Sequence, residues 1–292
     1  MPRRAVRFPA AARVSAVGSP NHTLQARRRA AAVGERSERV MLMSDDRIFY
    51  WGLFGPRAIS MVGAVAVYVS FDRPFSVRYA DGRVVEGTCA AVAPCVPHRV
   101  VSPDRCMAIL HLEPESVDLA ALDWLGDRPE ARAALERLAE RIRALYLRLA
   151  RGEAGDVLER LDIDTPLFGA PLPRRRVDPR IARVVECIRA DPSATTLAER
   201  YAADVALSFS RFLHLFTQEI GVPFRRFKAW KRARMMLRYV KQQTNLTHVA
   251  LEIGFPGASH FSNSIRHTFG LKPRDMFAGA RRMRLVTGLD AR

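Results

Sequence analysis

The sequence predicts an α+β protein in two parts, a small β-barrel followed by an all-helical C-terminal domain with two short helix pairs joined by a long helix. Three observations predict it. Apolar and polar residues alternate between Ile48 and Leu112, a period of three to four residues takes over from residue 127, and a Pro- and Arg-bearing stretch at 152–177, where neither period holds, separates the two regimes. With 292 residues, 48% of them hydrophobic, the chain can furnish two cores.

Six segments follow: a basic, disordered extension at 1–40, a β domain at 41–125, an amphipathic helix at 126–151, a linker at 152–177, a helical domain at 178–277 and a basic tail at 278–292. The formal charge of +17 is uneven along them. Residues 1–40 carry +7, residues 41–177 carry −1 and residues 178–277 carry +8, so a polyanion is expected to meet the helical domain, not the barrel. Residues 1–40 are rich in Arg, Ala and Ser and lack the apolar core of a secretory signal, and Met41 or Met43 could serve as an alternative start.

In the barrel, Phe75, Val77 and Tyr79 alternate with Ser76 and Arg78. Asp81-Gly82 then supplies a two-residue hairpin turn before Val84 and Val85. The longest apolar run, residues 59–69, falls short of the ~18 residues of a membrane span, so no membrane partner is expected. Cys89, Cys95, Cys106 and Cys187 form neither CxxC pairs nor a disulfide framework, as expected in a reducing cytoplasm. His98 and His111 are too few for a metal site, and no metal or other cofactor is expected.

From residue 127 to 151, Ala131, Leu135, Leu138, Ile142, Leu145 and Leu149 form a seam that either packs on the chain's own barrel or makes a homodimer. Asp178-Pro179 reads as the cap and first position of the next helix. Thr196 with Glu199 reads as a capping box, and Ser208 as the cap of a helix with Phe212, Leu215 and Phe216 inward. A long helix, Phe224 to Gln243, leads to a second pair broken by Gly254, Pro256 and Gly257.

So tight a corner between two short helices suits a helix pushed into a DNA groove. Such a helix needs small or polar residues on its outer face. Those residues are Ser210, Arg211, Leu213 and His214 in the first pair and Ser259, Ser262 and Asn263 in the second, where Asn263 can pair with adenine N6 and N7. Ser208 and Ser259 could equally be caps. Ser208, Arg225, Lys228, Arg266 and Lys272 are the candidates for phosphate. Residues 221–251 carry eight cations and no acid, a self-repelling run that a polyanion would relieve.

Residues 178–277 resemble the paired helix-turn-helix domain of the AraC/XylS transcription regulators. The resemblance rests on L197AERYA, S208FSRFLHLF, I253GFPGASHFSNSI and F269GLKPRDMF, with Ala206 where the family's first turn often has Gly and His214 where Arg is common. VAPCVPHRV at 92–100 is similar to a turn in the cupin-like sensor half of such regulators. The resemblance implies a sequence-specific regulator of promoter DNA, without catalysis. It further implies RNA polymerase as a partner, an unidentified small-molecule effector in the barrel, and a homodimer through the helix at 127–151. Two enzyme alternatives compete: a cupin-type metalloenzyme, and a DNA alkyltransferase-like enzyme in which P94CVPHR makes Cys95 a low-pKa nucleophile.

Overall fold

A computed structural model describes residues 39–54, 58–122, 124–126, 128–242 and 244–287; the extension expected at 1–40 lies outside them except for its last two residues. The front half holds strands β1 (Arg39–Met43), β2 (Arg47–Leu53), β3 (Val65–Val69), β4 (Phe75–Tyr79), β5 (Val84–Gly87), β6 (Cys89–Val92), β7 (His98–Val101) and β8 (Cys106–Leu112). With β9 (Met283–Thr287) from the C-terminal end, they form a six-stranded sheet in the order β6-β3-β8-β2-β1-β9 and a three-stranded sheet in the order β5-β4-β7. The hairpin between β4 and β5 lies where Asp81-Gly82 placed it. Its loop is one residue longer than expected, because Tyr79 N–H donates to Arg83 O across Ala80, Asp81 and a left-handed Gly82.

Alternation along each strand sorts the core. On β3 and β8, Tyr68, Met107 and Ile109 face the smaller sheet and pack with Phe54, Phe75, Val77 and Val100. Val65, Val67, Val69, Leu110 and Leu112 point the other way, onto helix α1 (Pro129–Ala150).

All six seam residues of α1 are buried inside this one chain. Of the two readings of the seam, the stripe packs on the chain's own sheet, and the face of α1 left exposed is charged, with Arg132, Glu136, Arg137 and Arg141. The linker expected at 152–177 is also corrected. It contains α2 (Gly155–Arg160) and α3 (Asp164–Phe168), which bury Val157 and Leu167 in the same core. Arg47 Nε and Nη2 reach the two oxygens of Asp164 at 2.7 and 2.9 Å, a bidentate pair that fastens α3 to β2.

The helical domain comprises α4 (Pro179–Ala190), α5 (Ala198–Asp204), α6 (Phe209–Ile220), α7 (Phe224–Met235), α8 (Leu246–Glu252), α9 (Ala258–Phe269) and α10 (Pro273–Ala280). Asp178 caps α4 as expected, its carboxylate accepting from Arg180 N. The capping box at Thr196 does not form: Leu197 is the N-cap, with no side-chain bond. The long joining helix is shorter than expected, α7 ending at Met235 and passing into a 3₁₀ turn, Met236–Arg238.

The expected basic tail contains β9 (Met283–Thr287), which pairs in parallel with β1 and so adds the end of the helical domain to the large sheet. Beneath it, Met41, Met43, Ile48, Val62 and Ala64 share one core with Trp230, Met236, Val249, Phe261, Ile265 and Met283. The sheet half and the second helix pair are thus packed as one body. The first pair has its own core, built on Ile181, Val184, Phe212, Phe216, Phe224 and Phe227.

Candidate nucleic-acid interface

The two helix pairs, α5–α6 and α8–α9, turn their corners with the same hydrogen bonds. In the first, Ala206 N–H donates to Ala203 O at 3.0 Å and Leu207 N–H to Ala202 O at 2.9 Å; in the second, Gly254 N–H donates to Leu251 O at 3.0 Å and Phe255 N–H to Ala250 O at 2.8 Å. Ala206 and Gly254 both sit in the left-handed region, at φ 54° and 79°. Each second helix also closes on a left-handed glycine: Gly221 donates to Thr217 O, and Gly270 to Arg266 O. Counting back from these glycines, His214 on α6 and Asn263 on α9 occupy equivalent positions, as do Ser210 and Ser259.

The outer faces are open. Ser210, Arg211 and His214 are exposed on α6 and Ser259, Asn263 and Arg266 on α9, while Leu213 and Ser262 are half-buried. Phe212, Leu215 and Phe216 fill the inner face of α6, as do Phe261, Ile265 and Phe269 on α9, so the apolar stripe leaves these polar residues turned away from the core. The two serines with a possible capping role part company. Ser208 Oγ accepts from Arg211 N at 3.3 Å and caps α6, whereas α9 starts after Gly257 with no side-chain cap, leaving the Ser259 hydroxyl off that duty.

The phosphate candidates are also divided. Arg225, Arg266 and Lys272 are exposed. Lys228 is half-buried, with its ammonium on Thr196 O near the Tyr201 ring, and burial lowers its pKa. Of the other cations in the run, Arg232 donates to Ser193 O and Ala194 O, Lys241 to Arg281 O, and Arg226 points to His267 Nε2 at 3.4 Å.

Two further cations overturn the idea that the run lacks compensating acid. Lys231 and Arg234 are buried against two carboxylates of the front half, Glu113 and Glu115, just after β8. Glu113 Oε2 accepts from Lys231 Nζ and Trp230 Nε1, both at 2.7 Å, and Glu113 Oε1 lies 2.9 Å from Arg234 Nε. Burial pushes the Glu113 carboxyl up, but Lys231 and Arg234 outweigh it and hold the group below the usual carboxylate range. Glu115 goes the other way: burial and the neighbouring Glu113 raise it against the pull of Lys231. Sequence reasoning missed this cluster because its acids lie more than a hundred residues from its cations.

Cys95 does not fit the nucleophile alternative. Burial pushes its thiol up to about 11, against the opposing charge of Arg226, whereas attack requires a thiolate at neutral pH. His98 is a satisfied core residue, with Nε2 2.8 Å from Tyr68 OH and Nδ1 2.8 Å from Val96 O; His111 stacks edge-on against Trp230. No cluster of three or more metal-ligating residues occurs among the described residues.

A helix-turn-helix domain family model matches residues 201–279, the span that holds both corners. Residues 201–279 are thus similar to the helix-turn-helix domain of AraC-type transcription regulators. Curated proteins similar to this chain include the invasion proteins InvF of Salmonella typhi and Salmonella typhimurium, each 26% identical over 191 residues, or 64% of this chain and 85% of the relative. Among solved structures, ToxT of Vibrio cholerae aligns over 80% of this chain and 97% of its own, at 9% identity and a TM-score of 0.49. An AraC-type transcriptional regulator from Chromobacterium violaceum aligns over 35% of this chain and 92% of its own, at 23% identity and a TM-score of 0.33. No helix among the described residues is long and apolar enough to cross a membrane.

Proposed function

We propose that the two helix pairs act as helix-turn-helix motifs that place α6 and α9 in successive major grooves of promoter DNA, under the control of a small-molecule effector bound by the cupin-like front half. The observation that carries this reading is the repeated corner, which sets His214 and Asn263 at equivalent, exposed positions on two helices whose inner faces are filled. Ser210, Arg211 and Leu213 flank His214 for base contacts, and Ser259 and Ser262 flank Asn263. Ser208, Arg225, Arg266 and Lys272 take phosphates. Lys228 does so only by releasing Thr196. RNA polymerase is the partner through which bound DNA becomes a change in transcription.

The test is a footprint on the DNA upstream of the chain's own gene, followed by affinity measurements on the protected site. Asn263→Ala and His214→Ala should each cost roughly 1–3 kcal/mol on that site and relax the preference at one base position of separate half-sites. Arg225→Ala should weaken every sequence alike and reduce the salt slope by about 1. Unchanged discrimination in both helix variants would refute the assignment.

A further inference from the structure

We propose that Arg232 is a positioning residue that fixes the offset between α6 and α9, by tying the loop before α5 to the corner of the second helix pair. The inference rests on the DNA-binding reading above and deepens it, since recognition of two half-sites then depends on the spacing between them. Such a tie has work to do because the connection along the chain is not one stiff rod. Helix α7 gives way to a 3₁₀ turn at Met236–Arg238 before α8 begins. Arg232 lies one turn ahead of that break.

One side chain touches both pairs. Arg232 Nη2 donates to Ser193 O at 3.3 Å and to Ala194 O at 3.2 Å, both in the loop that leads from α4 into α5. Its guanidinium carbon stands 5.5 Å from the centroid of the Phe255 ring, in the corner of the second pair. The loop is braced to receive it: the Asp191 carboxylate accepts from Ser193 N, Ser193 Oγ and Ala194 N, and the carbonyls of Ser193 and Ala194 are left to Arg232. Lys228, one turn earlier on α7, takes Thr196 O of the same loop. Loop and corner also touch directly, since a Cβ on Gly254 would overlap the Ser193 carbonyl oxygen. Phe255 continues the path. Its N–H closes the corner on Ala250 O, and its ring meets that of Phe261 on α9 edge-on at 5.6 Å. On the other side, the loop runs straight into α5, whose own corner carries α6.

A guanidinium suits this joint. It is planar, so it can lie over an aromatic ring while its N–H groups donate to carbonyls, whereas an ammonium is a compact point charge that cannot do both in the same way. Burial lowers the Arg232 pKa against the pull of Asp191, as expected for a cation held inside a joint and not offered to phosphate. Half-sites in successive major grooves lie about 34 Å apart, and each inserted base pair turns one of them by roughly 35° as well as moving it. A joint that holds α6 and α9 at one offset therefore penalises wrong spacing. A loose joint lets the two pairs follow the DNA.

The experiment measures the affinity of the full chain for the footprinted site, for derivatives with one or two base pairs inserted between the half-sites, and for a fragment with one half-site scrambled. Wild type should bind the native spacing about tenfold or more tighter than the two-base-pair insertion. Arg232→Ala should reduce that ratio about threefold or more, while its affinity for the scrambled fragment stays within about twofold of wild type. Arg232→Lys, which keeps the positive charge, should fall between the two. Equal losses at every spacing, as a merely stabilising residue would give, or an unchanged ratio in both variants, overturn the assignment. Hydrogen exchange of the DNA-free chain provides a readout that needs no promoter. In Arg232→Ala, amides at 193–197 and at 253–257 should exchange about tenfold faster together, with α4 unchanged; a change at neither segment, or at only one, overturns the joint. Wild type that binds no double-stranded fragment but shows the coupled exchange would sink the DNA-binding reading alone. Binding whose spacing preference survives both substitutions would sink the positioning role alone.

Discussion

The first helix pair, α5–α6, and the second, α8–α9, share a corner but are anchored differently. The first closes around its own aromatic core, with Phe212, Phe216, Phe224 and Phe227 in edge-to-face and tilted contacts. The second shares its core with the front half, since Phe261, Ile265 and Phe269 lie in one cluster with Met41, Met43, Ile48, Val62 and Ala64 from β1, β2 and the residues before β3. The front half even closes the end of α9, where Ala58 N–H donates to Gly270 O and Met61 N–H to His267 O, both at 2.9 Å. Two similar backbones can therefore play unequal parts. The sheet half holds α9 by backbone hydrogen bonds and a shared core, whereas to the core of the first pair the front half adds only Cys95 among the described residues.

Breaking the buried charge cluster should show that inequality most strongly. Lys231→Met leaves Glu115 without its cation and Glu113 with Arg234 alone, and removal of one partner from a buried ion pair costs about 3–5 kcal/mol. Denaturant unfolding followed at Trp230 should register the loss, and the second helix pair should separate from the sheet as its own transition. A stability change under about 1 kcal/mol would mean that the shared apolar core, not the charges, holds the two together.

The two corners differ in how much they tolerate. A Cβ at Gly254 would lie 2.4 Å from the Ser193 carbonyl oxygen, a backbone atom that cannot swing away, and φ there is +79°. Gly254→Ala should therefore cost about 2–4 kcal/mol, combining the left-handed penalty with overpacking, and DNA affinity should fall with it. Thermal unfolding is the direct measurement.

What could be read in the sequence was whatever neighbours in the chain decide. Tyr68 and Val67 face opposite sides because a strand alternates, and Asn263 faces out because Phe261 and Ile265, four positions apart on either side of it, must face in. Thr196 defeated the capping-box reading because the helix begins at Ala198 with Leu197 as its N-cap, one residue later than the Thr196–Glu199 spacing requires. β9 went unseen because MRLVT is short, basic and unpatterned, and its partner β1 is at the other end of the fold. Lys231 and Arg234 looked like surface charge for DNA because nothing local announces Glu113 and Glu115. The outward faces of α6 and α9 were legible, whereas the diversion of cations away from any such surface required the tertiary fold.

The smallest expected effect sharpens the comparison from the other side. Ala206 holds the same left-handed turn as Gly254, at φ 54°, but it carries a methyl group. A side chain there costs roughly 1–2 kcal/mol in the folded state, and the extra freedom that glycine has when unfolded returns only part of that. Ala206→Gly should thus raise stability by about 0.5–1 kcal/mol, with α6 and its Ser208 cap unmoved. A gain in denaturant midpoint with an unchanged slope would show that the first corner stores local strain the second avoids. A loss would show instead that the Ala206 methyl contributes contacts outweighing the turn's cost, and the two corners would then be equivalent in geometry but not in energy.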